Sequence, residues 1–467
     1  MPGIQTQPAK RLRNANAPKG PGDDRLPGRY DRDAMPQHPS SRSRLALAIG
    51  LAFVVGACGA NTPTVAPTTL APTPVATIAA PPSPTPTPKS AAEQYADIRA
   101  QVEQIRGLQP TGAVDPVTID ATKLRANLGA EFDASNTAAD IKNAEDELIT
   151  LGLLPKGSSL KALTLDLEAG QVAGYYSPDK KQLFVVSRSG GLGGAELVTY
   201  AHEFTHQLQD QRLGLQSLGI DVHDQGDRSL ARLSLVEGDA VSVQSTWMTD
   251  NLSPQQLGQV MSAAMDPAAL KALTDAPRYL RETALFPYND GFAFVSRLLS
   301  QGGYAAVDAA FKDPPESTEQ ILHSDKYLHR EAPLPVKLPA KLASMLGARW
   351  SVAAEDTLGE EILQIWLEQV LSTPGAATAA TGWGGDRLAV LRGPGGEVNI
   401  GLITKWDSIG DTTEFAEAAQ TTLTGLGLAG EVRLAANDAT TVIVAIGGHA
   451  EQVGAALGAG PGAGPGG

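Results

Sequence analysis

From residue 91 to about 312 the apolar positions recur mostly with the period of a helix. Ala91 to Leu108 and Thr137 to Leu151 read as amphipathic helices, with one face carrying the apolar side chains. Leu197, Ala201, Phe204 and Leu208 stand at i, i+4, i+7 and i+11, a stripe that pins one helix into a core. Gly193-Gly194 precede that stripe and no proline interrupts it before Arg212. Leu230, Leu233, Ala240, Val241 and Gln244 keep helical spacing, and residues 228 to 312 read mostly as helix. The period shortens just before the stripe. Gln171 to Ser177 and Gln182 to Val186 flank a Pro178-Asp179 turn and predict a β-hairpin leading directly into the helix. After about 346, Asp386 to Leu391, Val398 to Ile403, Thr412 to Thr424 and Thr440 to Ala445 predict strand, strand, helix, strand. Helices and strands in separate runs make this an α+β chain. No internal repeat is present.

The first ninety residues follow a different pattern. Leu45 to Ala57 is an unbroken apolar run of thirteen residues, too short to span a bilayer but suited to the centre of a secretory signal. Arg42 and Arg44 precede it, and it ends Val55-Gly56-Ala57-Cys58. Small residues before a cysteine are the arrangement of a bacterial lipoprotein signal. Cys58, the only cysteine, therefore stands where a lipid would be attached, and a diacylglyceryl group supplies the two chains that stable anchoring needs. A start at Met35 would give this signal a conventional short basic segment, so residues 1–34 are expected to be untranslated. Gly59 to about Ser90 is Thr, Pro and Ala, a composition that stays extended and reads as a tether. The expected organisation is a signal region over 1–57, the lipidated cysteine and tether over 58–90, a main domain over 91–345, a small α+β region over 346–450 and a structureless tail over 451–467.

Charge narrows the partners. The net charge is −14, and nine basic against four acidic residues before Cys58 leave about −19 for the remainder. Such a surface argues against nucleic acid and against electrostatic attachment to anionic lipid, so membrane contact falls to the lipid on Cys58. The expected location is the outer face of the cell membrane.

The chemistry sits on the striped helix. Tyr200-Ala201-His202-Glu203-Phe204-Thr205-His206 places two imidazoles one turn apart with a carboxylate between them. Residues four apart share a helix face, so His202 and His206 can hold one Zn2+ ion, and Glu203 is placed to take a proton from water. A third ligand is needed. Gln209 and Arg212 occupy the positions where a metzincin continues with Gly and His, and Asp210 on the same helix reaches a shared metal poorly. Glu237 falls on or beside an apolar face, where an unpaired carboxylate is costly unless a metal, a cation or a proton accompanies it. Gly238 costs about 1 kcal/mol in a helix interior, which close approach to the His202 helix would explain. His223, on a loop, is the rival ligand.

Two histidines and a glutamate on one helix, with a glutamate from a second helix, resemble the gluzincin branch of the zincin metallopeptidases. Within that branch the chain is similar to bacterial lipoproteins carrying a zincin domain. Phe286 to Phe292, Pro314 to His323 and Gly382 to Arg387 look like stretches of theirs. The resemblance spans about 170 to 330 and extends weakly to about 420. It implies a zincin-like fold: a small sheet, the active-site helix, a mostly helical second lobe and a small α+β C-terminal region. It also implies His202, His206 and Glu237 as ligands, Glu203 as general base and a protein or peptide substrate paired along the edge of the hairpin. Val241 replaces the aspartate that follows the ligand glutamate by four residues in the thermolysin pattern, so another group must orient the histidine rings, with Asp239 the stand-in. Tyr288, His323 and His223 are the candidate donors to an oxyanion. A binding module that retains the fold without catalysis, or a zinc hydrolase acting on another amide, are the competing expectations. The residues leave substrate identity and oligomeric state open.

Overall fold

The structure is a computed structural model, which describes residues 89–112, 114–186 and 192–459. The signal region, Cys58 and nearly all of the tether lie outside the described residues. The chain opens with helix α1 (Ala91–Arg106), capped at Ser90 by a reciprocal bond with Glu93 and stopped at Gly107 in the left-handed conformation. Strand β1 (Val117–Ile119) and helices α2 (Ala121–Ser135), α3 (Ala138–Thr150) and α4 (Leu160–Gln171) follow. Strands β2 (Gly174–Ser177) and β3 (Gln182–Val186) form the hairpin, Tyr175 opposite Phe184 and Tyr176 opposite Leu183. With β1 parallel to β3, the sheet order is β1-β3-β2, and β2 lies on the edge.

Helix α5 (Gly194–Leu213) carries the two histidines. Leu197, Ala201, Phe204 and Leu208 are buried as the spacing requires, in a core with Ile98 and Val102 of α1 and Leu183 and Val185 of β3. The helix is buried well beyond that stripe: every residue from Leu197 to Asp210 is enclosed, so its polar positions face protein rather than water. Next come α6 (Gly226–Asn251), α7 (Pro254–Ala264), α8 (Pro267–Asp275) and α9 (Arg278–Lys312), the last interrupted at Gly302-Gly303.

The crossing of α6 over α9 uses two glycines. A Cβ at Gly238 would lie 2.1 Å from the Gly291 carbonyl oxygen, and one at Gly291 would lie 2.2 Å from that of Ser234. The close approach expected at Gly238 is therefore real, but its partner is α9 and not the histidine helix.

Short helices α10 (Thr318–Leu322), α11 (Ser324–Leu328) and α12 (Leu342–Leu346) lead to a second sheet. Its elements are β4 (Ser351–Asp356), α13 (Gly359–Leu367), α14 (Thr373–Ala380), β5 (Trp383–Arg392), β6 (Val398–Trp406), α15 (Ile409–Leu426), β7 (Gly430–Ala435), β8 (Asp438–Ile446) and α16 (Ala450–Gly458). The strands are antiparallel in the order β4-β5-β6-β8-β7. Both faces are covered. Leu388, Val390, Leu402 and Val444 point to a core with α13, α14 and α15, while Ala389, Leu391, Ile443 and Ala445 point to α12 and α16.

Two sequence expectations need correction here. The segment 451–467 was expected to lack structure, yet α16 runs to Gly458 and buries Val453 and Leu457 against the sheet, apolar contacts that offset its helix-weakening glycines. The boundary at 345–346 does not separate two cores. Leu148, Leu151 and Leu167 of the N-terminal half share one cluster with Trp366, Trp383 and Val444, and the Trp366 indole donates to the Leu151 carbonyl at 3.0 Å.

Candidate metal centre

Three donor atoms converge at the middle of α5. His202 Nε2 lies 3.0 Å from His206 Nε2, and Glu237 Oε2 lies 3.2 Å from the first and 3.3 Å from the second. All three side chains are almost fully buried. Four ligands held about 2.0–2.1 Å from a tetrahedral zinc ion stand roughly 3.3 Å apart, so this spacing fits one ion with a fourth position left for water or substrate. Two imidazoles and a carboxylate form a donor set that suits zinc.

Electrostatics describes the same convergence without an ion. Burial alone would lower His206, but the Glu237 carboxylate outweighs it and lifts the imidazole to about 9. Burial opposes ionisation of Glu237, and the two imidazoles hold it well below its ordinary range nonetheless. A buried carboxylate that favours a positive charge on the neighbouring imidazole favours a bound cation by the same attraction.

The orientation of His206 is set by a residue the sequence reading passed over. His206 Nδ1 donates to Gln209 Oε1 at 2.8 Å. The amide cannot face the other way, because Gln209 Nε2 donates to the Val236 carbonyl at 2.9 Å and to Asp239 at 3.0 Å. With its proton on Nδ1, the ring offers Nε2 as a lone pair. Asp239 was expected to orient a histidine directly; it instead anchors Gln209. Asp239 is itself paired with buried Arg106 at 2.9 Å, and Arg106 reaches Asp308 at 2.6 Å and lies over the Tyr304 ring. Four elements, α5, α6, α1 and α9, thus fix one imidazole. The signal available beforehand was Gln209 one turn beyond His206, on the same helix face. His202 Nδ1 is buried without a hydrogen-bond partner, so that imidazole is held by its Nε2 contact with Glu237 at 3.2 Å and by packing that includes the Tyr288 ring at 6.1 Å.

Glu203 faces the hairpin. Its Oε2 accepts from the Tyr176 amide of β2 at 2.8 Å, and burial raises its carboxyl while both imidazoles pull it down and Glu237 opposes them. Asp210 is turned away from the donor atoms and accepts from the Tyr176 hydroxyl and Lys181.

Tyr288 on α9 belongs to the centre: its hydroxyl hydrogen-bonds Glu237, and burial followed by the Glu237 and Glu203 charges raises it well above its ordinary range. His323 does not join it. Its Nε2 pairs with Glu360 of α13 at 2.8 Å, because that almost fully buried carboxylate draws the imidazole toward the second sheet. His223 is exposed and lines the wall of the adjoining cavity.

That cavity, about 400 Å³, is bounded by Glu237, Tyr288 and Pro287 on one side and by α3, α4 and the His223 loop on the others. A second acidic group, Glu319, Glu331 and Asp407, also converges, but Lys326 Nζ already sits among the three at 2.6, 2.8 and 2.6 Å. Among the described residues no other group of three or more metal-ligating side chains converges in this way.

Comparison with known proteins touches only the C-terminal sheet. A family model described as a domain of unknown function (DUF8575) matches residues 348–456, from just before β4 into α16. The histidine helix and Glu237 lie outside that match. No curated protein and no solved structure matches the chain.

Proposed function

We propose that this chain is a zincin-type zinc metallopeptidase that hydrolyses peptide bonds. The observation that carries the reading is the 3.0–3.3 Å triangle of His202, His206 and Glu237 with Glu203 next to it in sequence. A zinc ion bound there would supply a Lewis acid and lower the pKa of water toward neutrality. Glu203 takes the proton from the attacking water and returns it to the departing amine, a role suited to a carboxylate whose affinity for protons burial has raised. Gln209 keeps the His206 lone pair aimed inward, and the Tyr288 hydroxyl steadies Glu237. Strand β2 lies on the sheet edge but is buried along its length and gives its Tyr176 amide to Glu203, so it positions the base and does not present the free edge expected for a substrate main chain. Among the described residues no helix is long and apolar enough to cross a membrane. The sequence before Cys58 supports a lipid-anchored protein outside the cytoplasm.

The test uses the full-length protein in detergent, with zinc content and casein cleavage measured for wild type and Glu203→Gln. The reading expects one equivalent of zinc in both and cleavage reduced by at least about 10³-fold in the variant. Equal behaviour of the two proteins would leave a binding module in place of an enzyme.

A further inference from the structure

The cavity beside the metal centre has walls of one charge. Asp140, Glu147, Glu168, Asp221, Asp224 and Asp356 line it together with Glu237, and no lysine or arginine does. Most of these carboxylates are already engaged. Asp140 accepts from Thr137, Asp224 from Arg387, and Asp356 from the amides of Gly226 and Thr357. Glu147 and Glu168 are the exceptions, with no side-chain hydrogen bond or ion pair among the described residues. Glu168 is only 8% exposed, on α4, and near enough to Tyr288 for its charge to act on that hydroxyl. Burial, followed by the charge of Glu131, lifts its carboxyl to about 8.

With no donor beside it, such a carboxyl keeps its proton near neutral pH, and a cation entering from outside the chain would displace that proton and take its place. The geometry does not suit a metal ion, since no set of three converging ligands among the described residues includes Glu168 or Glu147. The same cavity is also lined by the apolar side chains of Leu148, Leu160, Leu167 and Leu280. Apolar walls combined with acidic groups match a side chain that has an aliphatic stem and a charged end.

We infer that this cavity is a specificity pocket for a lysine or arginine side chain of the peptide substrate, with Glu168 as its principal counter-charge and Glu147 as its second. The inference rests on the peptidase reading for the word substrate, and on the cavity alone for the cation. The acidic character of the chain favours the approach of basic peptides in the same direction.

The test walks a single arginine through an alanine-rich octapeptide, and repeats the series with citrulline, which keeps the shape and removes the charge. Binding is measured on full-length protein carrying Glu203→Gln, and cleavage on wild type. At one position arginine should bind at least about tenfold more tightly than citrulline, the difference a charge-assisted hydrogen bond makes. That ratio should fall toward one in Glu168→Gln and fall part of the way in Glu147→Gln, two near-isosteric changes in separate helices. Equal binding of both series at every position, no binding of either, or a ratio that survives both substitutions overturns the pocket. Zinc-dependent cleavage without charge preference removes the pocket and leaves the peptidase; charge-selective binding without any cleavage by wild type does the reverse.

Discussion

Gln209→Met separates the act of orienting a ligand from that of being one. Methionine keeps the length and most of the volume of glutamine but offers no good acceptor to His206 Nδ1 and no donor to Val236 or Asp239. Three bonds of 2.8, 2.9 and 3.0 Å are lost from a buried site. Leaving the Val236 carbonyl and the Asp239 carboxylate without that donor costs about 1–3 kcal/mol each, so the ion-free protein should lose roughly 2–6 kcal/mol of stability. Loss of the partner on a metal-binding imidazole lowers metal affinity by about 10–100-fold, or roughly 1.4–2.7 kcal/mol. The assay is zinc competition against a chelating dye at a temperature well below the melting transition of the variant, with urea unfolding run in parallel. Gln207→Met is the control. Gln207 lies on the same helix, is equally buried and donates to the Gly112 carbonyl, but does not touch the imidazole. It should cost stability and change zinc affinity by less than about threefold. If Gln209→Met also stays within threefold of wild type, the orienting role assigned to Gln209 is wrong.

Zinc uptake should depend on pH through the proton that His206 shares with Glu237. With His206 at about 9 in the ion-free protein, binding at pH 7 should release close to one proton, measured by titration calorimetry in buffers of different ionisation heat, and none would refute the shift. Because that folded-state value lies above the free value of 6.5, its stabilisation is complete below pH 6.5 and is lost as pH rises through about 9, so the ion-free protein should melt lower at pH 9 than at pH 6.5. Gly238→Ala must push α6 from α9 and should cost about 3 kcal/mol in urea unfolding; a cost under 1 kcal/mol would mean the crossing yields easily. Arg106→Met leaves Asp239 buried with only Gln209 beside it and should cost about 3–5 kcal/mol by the same measurement, most of it recovered in the double variant with Asp239→Asn.

How much of this was legible depended on how local each cause is. His202 and His206 are four residues apart, so any helix brings them together, and the apolar stripe announced the helix. The hairpin was legible for the same reason, its turn lying between two short apolar runs. The edge strands β4 and β7 were not: each is mostly exposed or half-buried and offers no clean alternation. Helix α16 was hidden by alanines and glycines, which carry little periodic signal although Val453 and Leu457 anchor it. The bonds among Arg106, Asp239 and Asp308 join residues 133 and 202 positions apart, a distance over which no local pattern speaks.

Glu237 stands between these cases. Its burial could be read from its apolar neighbours, and Gly238 signalled a close helix crossing, but only the fold reveals that the helix crossed is α9. The consequence is mechanical. The two histidines hold their mutual spacing by belonging to one turn, whereas the third donor is placed by the contact of Gly238 with Gly291 and by the Tyr288 hydroxyl, both contributed by a helix that supplies no ligand itself. Tyr288→Phe, which removes the hydroxyl from Glu237 but keeps the ring against His202, therefore acts on one ligand of three. It should weaken zinc binding while leaving His206 on Gln209, since that bond lies within α5.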